Sequence, residues 1–210
     1  MTSDPGRPRR PVLIDSTADW RPGGPDPALR AQAAHVTADA LVRRGRATDD
    51  PAVLRRLLTL VETEGLDEVA ALWADSPAES LPGALWRLYV LREWVRRDPA
   101  TVADRYRQGV DAAPVDGVVA GVAVPPEPAD VRAVADAVLA GVYTGDLAVA
   151  LERAAAFCRV LATGAAFDAD HLDLVDPQGA QRQTRGASSL RRTADELAHA
   201  GELWRSGKLE

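Results

Sequence analysis

Cysteine is nearly missing from this chain: Cys158 is the only one among 210 residues, so no internal disulfide can form. A single thiol excludes the disulfide-stapled secreted scaffolds and the paired CxxC zinc patterns, each of which needs several. No secretory leader is legible at the start of the chain, so a reducing, cytoplasmic compartment is expected. Long apolar runs are missing as well. The longest, Val118–Val124, falls far short of the ~20 residues that cross a bilayer, and no membrane partner is expected. Asparagine is absent, Lys208 is the only lysine and Ile14 the only isoleucine. Such a composition follows from a GC-rich, bacterial coding sequence. It warns against reading each arginine as a chosen phosphate ligand.

The motifs that announce chemistry are also lacking. The chain has no GxxxxGK[ST] phosphate loop, no GxGxxG turn after a strand, no GxSxG elbow and no HExxH pair. Its three histidines, His35, His171 and His199, fall in separate segments and offer little for general-base work. No catalytic set and no cofactor is implied. An active site can also be assembled from residues distant in sequence.

What is present is helical patterning cut by proline and glycine. Residues 1–25 hold five prolines and three glycines, which interrupt any regular element and mark a flexible or surface-docked arm. Within it Val12, Leu13, Ile14 and Trp20 are apolar enough to dock on the body of the protein or to capture a partner. Residues 26–210 then read as a single helical domain with sub-halves 26–112 and 129–210 joined by a connector, 113–128. Asp26-Pro27 supplies an N-cap and an N1 proline, predicting a helix from Pro27 to about Arg44 that stops at Gly45, with Leu29, Ala33, Val36 and Ala40 inward. Asp50-Pro51 opens a second helix with the stripe Val53, Leu54, Leu57, Leu58 and Val61. A short third helix covers Leu66–Ala74. Pro82–Arg97 is apolar nearly all round, the mark of a helix buried on most sides and hence of the centre of the fold. Trp73, Trp86 and Trp94 are expected to build the core around it. Arg92, placed among its leucines, should snorkel or pair with a carboxylate.

Asp98-Pro99 opens a helix to about Ala112 with Val102, Tyr106 and Val110 inward. The connector that follows is rich in proline, glycine and valine, and its middle, Val118–Val124, is too apolar for a solvated linker. It reads as an extended segment packed on the core, with a short strand as the other reading. Ala129–Val142 and Asp146–Thr163 form a helical hairpin, a loop runs from Gly164 to Gly186, and a last helix covers Ser188–Ser206. In that last helix Leu190, Ala194, Leu197, Gly201 and Trp204 make a narrow seam for a partner helix, within the chain or in a second copy. The fold class is therefore all-α, an irregular bundle of about seven or eight helices. The roughly 24-residue spacing of proline-marked starts would also fit a short helical solenoid, though the interiors of those segments are not self-similar.

Charge is unevenly spread. The net charge is −6, with 3 arginines against 11 acids over residues 111–180 and 6 basic groups against 4 acids over 181–210. Two clusters carry what chemistry there is. Asp168, Asp170, His171 and Asp173, with Asp176 close behind, are oxygen and nitrogen donors for a divalent cation, although Leu172 and Leu174 break the EF-hand pattern. As a solvated loop the same segment would dock Leu172, Leu174 and Val175. Arg182, Arg185, Arg191 and Arg192 flank the expected start of the last helix, where an anion, a phosphate backbone or a protein partner can be held. Three functions follow from these features. The foremost is a non-enzymatic interaction or regulatory protein acting through protein–protein contacts, with a protein partner or a second copy. The others are a nucleic-acid-associated regulator using residues 182–192, and a metal-dependent or small-molecule enzyme around residues 168–176. A globally acidic chain is a poor default binder of nucleic acid.

Overall fold

The computed structural model describes residues 26–46, 66–144, 146–173 and 175–210. The expectations for the arm, for the helix opened by Asp50-Pro51 and for Leu174 lie outside them. The chain is all-α: the described residues form eight helices and no strand. In chain order these are α1 (Pro27–Arg46), α2 (Leu66–Trp73), α3 (Leu81–Arg97), α4 (Pro99–Val110), α5 (Pro114–Ala120), α6 (Pro128–Thr144), α7 (Leu147–Leu172) and α8 (Pro177–Arg205). None of them is long and apolar enough to cross a membrane.

Short polar side chains open the helices by accepting the N–H groups that have no intrahelical partner. Asp26 accepts from Ala28 N at 2.9 Å, Ser80 from Gly83 N at 3.3 Å and Asp98 from Thr101 N at 3.2 Å. Asp146 accepts from Ala148 N and Asp176 from Gly179 N, both at 2.9 Å. Pro27, Pro99 and Pro177 follow their caps directly, where the missing N–H costs nothing.

The organising element is α7. Fifteen of its 26 residues are buried, and α4, α5, α6 and α8 pack around it. Alanine dominates the buried set, from Ala148 to Ala169, so neighbouring helices come close to its backbone. At one crossing the approach leaves no room for any side chain. A Cβ on Gly164 would lie 1.9 Å from the carbonyl oxygen of Arg105, and one on Gly109 would lie 2.1 Å from that of Val160. Glycine is therefore required on both helices where α4 crosses α7. Just beyond, the Tyr106 ring stacks on Phe157 with centroids 5.6 Å apart, and its hydroxyl donates to the Gly117 carbonyl, tying α5 down. The longest pair, α7 and α8, is an antiparallel hairpin of about 39 and 44 Å.

Ion pairs then tie helices to one another. Arg92 is buried and donates through Nε to Asp136 Oδ1 of α6 at 2.7 Å, which is the carboxylate partner its place among leucines demands. Arg205 pairs with Glu152 across the α7–α8 hairpin and lowers that carboxyl below its usual range. The amide of Leu81 donates to the Glu210 carbonyl at 2.6 Å, and the neighbouring Leu209 is buried against the core.

Several expectations are corrected here. Gly45 does not stop α1, which continues to Arg46. Leu29 and Val36 of that helix are exposed, and the inward face is instead Ala34, Ala38 and Val42, an i, i+4 row. The rotation brings Thr37 Oγ1 to within 3.1 Å of Trp73 Nε1, which would otherwise lose its buried hydrogen bond. The valine-rich connector is not extended throughout. Pro114–Ala120 is a helix that ends on Gly121, whose φ of 71° is left-handed and natural to glycine. Nor is the connector packed along its length: Val122 is buried, but Val118 is 82% exposed. The expected loop Gly164–Gly186 is mostly helix. Gly164 fails to end α7 because its missing side chain serves the α4 crossing, while Asp176-Pro177 starts α8 eleven residues before Ser188. Val175, expected to dock, is exposed. Finally, α7 rather than α3 is the centre of the fold.

Replacing Gly164 with Ala is expected to destabilise the protein by about 1–3 kcal/mol through overpacking. Urea denaturation with an unchanged slope measures it. A variant as stable as the parent would mean that the crossing is looser than its geometry states.

Candidate functional site

Because α3 is apolar nearly all round, one of its stripes faces outward after the others are buried. Leu85, Leu88, Leu91 and Val95 go into the core, and Trp86, Val90 and Trp94, spaced i, i+4, i+8, remain along one side. The opposite wall is α8, which presents Gln183, Gly186, Ser189, Leu190 and Thr193. Between them runs a groove of about 660 Å³. Its volume falls in the range of about 300–1,000 Å³ typical of binding sites. Arg87 Nε donates to Glu196 Oε2 at 2.5 Å and joins the two walls.

Arg105 closes the groove from below. It leaves α4 one turn before Gly109, so the glycine crossing delivers it beneath Trp94, its guanidinium 6.0 Å from the ring centroid. That distance is the outer limit of a cation–π contact. The guanidinium donates through one terminal nitrogen to Gln183 Oε1 at 2.8 Å, and Asp168 Oδ2 lies 3.6 Å from Nε. Nε itself is buried without a hydrogen-bond partner. A buried N–H without a hydrogen bond is uncommon in folded proteins.

Cys158 and Ala165 of α7 lie under the same groove. Burial pushes the Cys158 thiol up to about 12, which makes it a packing residue and not a nucleophile. The lining offers no histidine, and its one carboxylate, Glu196, is engaged by Arg87. The groove is thus lined by two tryptophans, short polar side chains and guanidinium groups.

The residues singled out from sequence end in other places. Asp168 turns to Arg105, while Asp170 is exposed. His171 sets Nδ1 2.8 Å from the Phe167 carbonyl oxygen, and Asp173 caps the end of α7. The cluster is thus the last turn of a helix and not an open loop. Among the described residues no three His, Cys, Asp or Glu side chains gather closely enough for a metal ion. The four arginines do not flank a helix start. Arg182 lies in the second turn of α8 and pairs with Asp176 at 3.5 Å. Arg191 and Arg192 share a shallow depression with Glu79, Asp195, Glu196 and His199, a surface of mixed sign. Only Arg192 of the four also lines the groove. Trp73 is buried in the core as expected, and Trp86 and Trp94, half-buried and packed against that core, are also the groove's apolar wall. The i, i+4, i+8 spacing of Trp86, Val90 and Trp94 was the available signal, but it required knowing that α8 starts early enough to stand opposite.

No protein-family model, curated protein or solved structure matches this chain.

The Cys158 thiol is expected to resist iodoacetamide at pH 8.5 in the folded protein and to react fully in denaturant. Between its ordinary value of 9.0 and about 12 the folded chain keeps a proton that the unfolded chain releases. Its contribution to stability is therefore present below that window and is lost as pH rises through it. The urea midpoint of Cys158→Ala should fall less steeply with alkaline pH than that of the parent. Rapid alkylation of the native protein would overturn the assignment.

Proposed function

We propose that this is a non-enzymatic interaction or regulatory protein of the cytoplasm that holds a segment of a partner protein in the α3–α8 groove. The observation that carries the reading is Gly186. It stands in the interior of a 29-residue helix, where glycine costs roughly 0.5–1 kcal/mol relative to alanine. Unlike Gly109 and Gly164, it gains nothing inside the molecule: a Cβ there would meet no atom within 4 Å. It lines the groove with Trp86 and Trp94. An open backbone beside two tryptophans suits close approach by another molecule. Trp and Arg, which dominate the groove, are also the residues that carry most binding energy in protein interfaces.

The test uses the tagged protein crosslinked in its own host. Gly186→Leu fills the groove and raises helix propensity, so the thermal midpoint should stay level or rise while partner retention is lost. Val90→Glu, at a position 43% exposed, should abolish retention without unfolding. A partner retained equally by the parent and both variants would place its contact elsewhere and remove the reading.

A further inference from the structure

The charge around the groove narrows what fills it, and this inference rests on the binding role proposed above. The chain as a whole is acidic, at −6. The two helices that wall the groove are the reverse. Helix α3 carries four arginines against one glutamate, and α8 carries five arginines against two glutamates and one aspartate; of these Arg92 is turned to Asp136, Arg182 to Asp176 and Arg205 to Glu152. The groove lining itself has Arg87, Arg105 and Arg192 against Glu196 alone. Glu196 is already bound to Arg87, and Arg192 is 4.0 Å from it with most of its side chain in solvent. A partner carrying basic groups would meet like charge on both walls. One carrying carboxylates would meet Arg192, the lining guanidinium whose side chain lies mostly in solvent.

The apolar part of the groove sets the shape of that partner. Trp86, Val90 and Trp94 repeat once per turn along about 12 Å of α3, and Gln183, Gly186, Leu190 and Thr193 follow the i, i+3, i+7, i+10 rhythm along about 15 Å of α8. Two walls with helical spacing receive a third helix as a bundle does, its apolar residues at i, i+3, i+4 and i+7 pointing down. The open backbone at Gly186 and the short side chains of Ser189 and Thr193 leave space on the α8 side for those residues. We propose that the groove takes an acidic amphipathic helix of a partner protein. The leucine-like face enters between Trp86 and Trp94, and the flanking carboxylates meet Arg192.

Three labelled peptides of about fourteen residues test this, with leucines at i, i+3, i+4 and i+7 and Glu, Gln or Lys at the flanking positions. Fluorescence anisotropy against the full-length protein should rank them Glu, then Gln, then Lys. The Glu peptide is expected to bind about ten-fold tighter than the Gln peptide at low salt, an advantage that shrinks as salt is raised. Arg192→Glu should weaken the Glu peptide several-fold and leave the Gln peptide unchanged. Gly186→Leu should weaken both. A Gln peptide that binds as tightly as the Glu peptide, or a Lys peptide that binds best, overturns the acidic assignment while leaving the groove as the contact. Absence of binding by all three up to about 1 mM overturns the helical occupant, and loss of the crosslinked partner in Gly186→Leu then decides the groove separately.

Discussion

The backbone-to-backbone contact where α4 crosses α7 is the constraint on which the rest of the molecule hangs. Two glycines, Gly109 and Gly164, let the helices approach until each carbonyl ladder faces the other with no side chain between. Everything placed by α4 depends on that approach. One turn before Gly109, Arg105 is brought under Trp94 and within reach of Asp168 and Gln183 on two further helices. Three residues before Gly109, Tyr106 seals the core beside Phe157 and fastens α5 through its hydroxyl. Were the helices held an ordinary side-chain distance apart, the floor of the groove would drop away from its walls. Structure and candidate site therefore share one requirement, which explains why α7 tolerates a helix-weakening residue in its most buried stretch.

Helix starts were legible because the physics of a helix N-terminus is local. An aspartate or serine that accepts a free N–H, followed by a proline that has none to lose, declares α1, α3 and α4 without reference to anything distant. Asp176-Pro177 carries the same signature. It sits among glycines and polar residues that favour a loop, and α8 starts there, eleven residues before the expected Ser188. Helix ends were less legible, since the meaning of a glycine depends on what packs against it. Gly45 and Gly164 lie within helices, while Gly121 ends one with a left-handed φ. Glycine's cost of about 1 kcal/mol in a helix is small enough for tertiary packing to override.

The faces of the helices show the same division. In α6 and α7 a stripe of Val, Leu and Ala has one side to bury, and Val131, Val138, Val142, Leu147, Leu151 and Leu161 are all buried. In α1 the larger residues Leu29 and Val36 suggested the wrong side, and close packing of Ala34 and Ala38 with the Thr37–Trp73 hydrogen bond decided otherwise. The groove was hidden for a related reason. An all-round apolar helix such as α3 does not say which stripe its neighbours leave open, and that depends on the length of α8 and the tilt set by the glycine crossing. The acidic cluster was misleading in the opposite sense: its residues are adjacent in sequence, but a helix sends them in different directions.

The groove is better understood as built than as left over. Its two walls are composed differently. The wall from α3 is aromatic and aliphatic, while the wall from α8 uses Gly186, Ser189 and Thr193 at the positions that face it. A leucine at any of these would shrink the gap and bury the tryptophans at a gain of about 25 cal/mol for each Å² removed from water. The α7-facing side of the same helix takes that gain, with Ala194, Leu197 and Ala200 fully packed. Within one helix, then, one face is optimised for contact inside the chain and the adjoining face forgoes it. The stability forgone there is available to an occupant, since the apolar surface of Trp86, Val90 and Trp94 is already ordered by the core behind it. A molecule that supplied the missing side chains would bury that surface without having to order the walls.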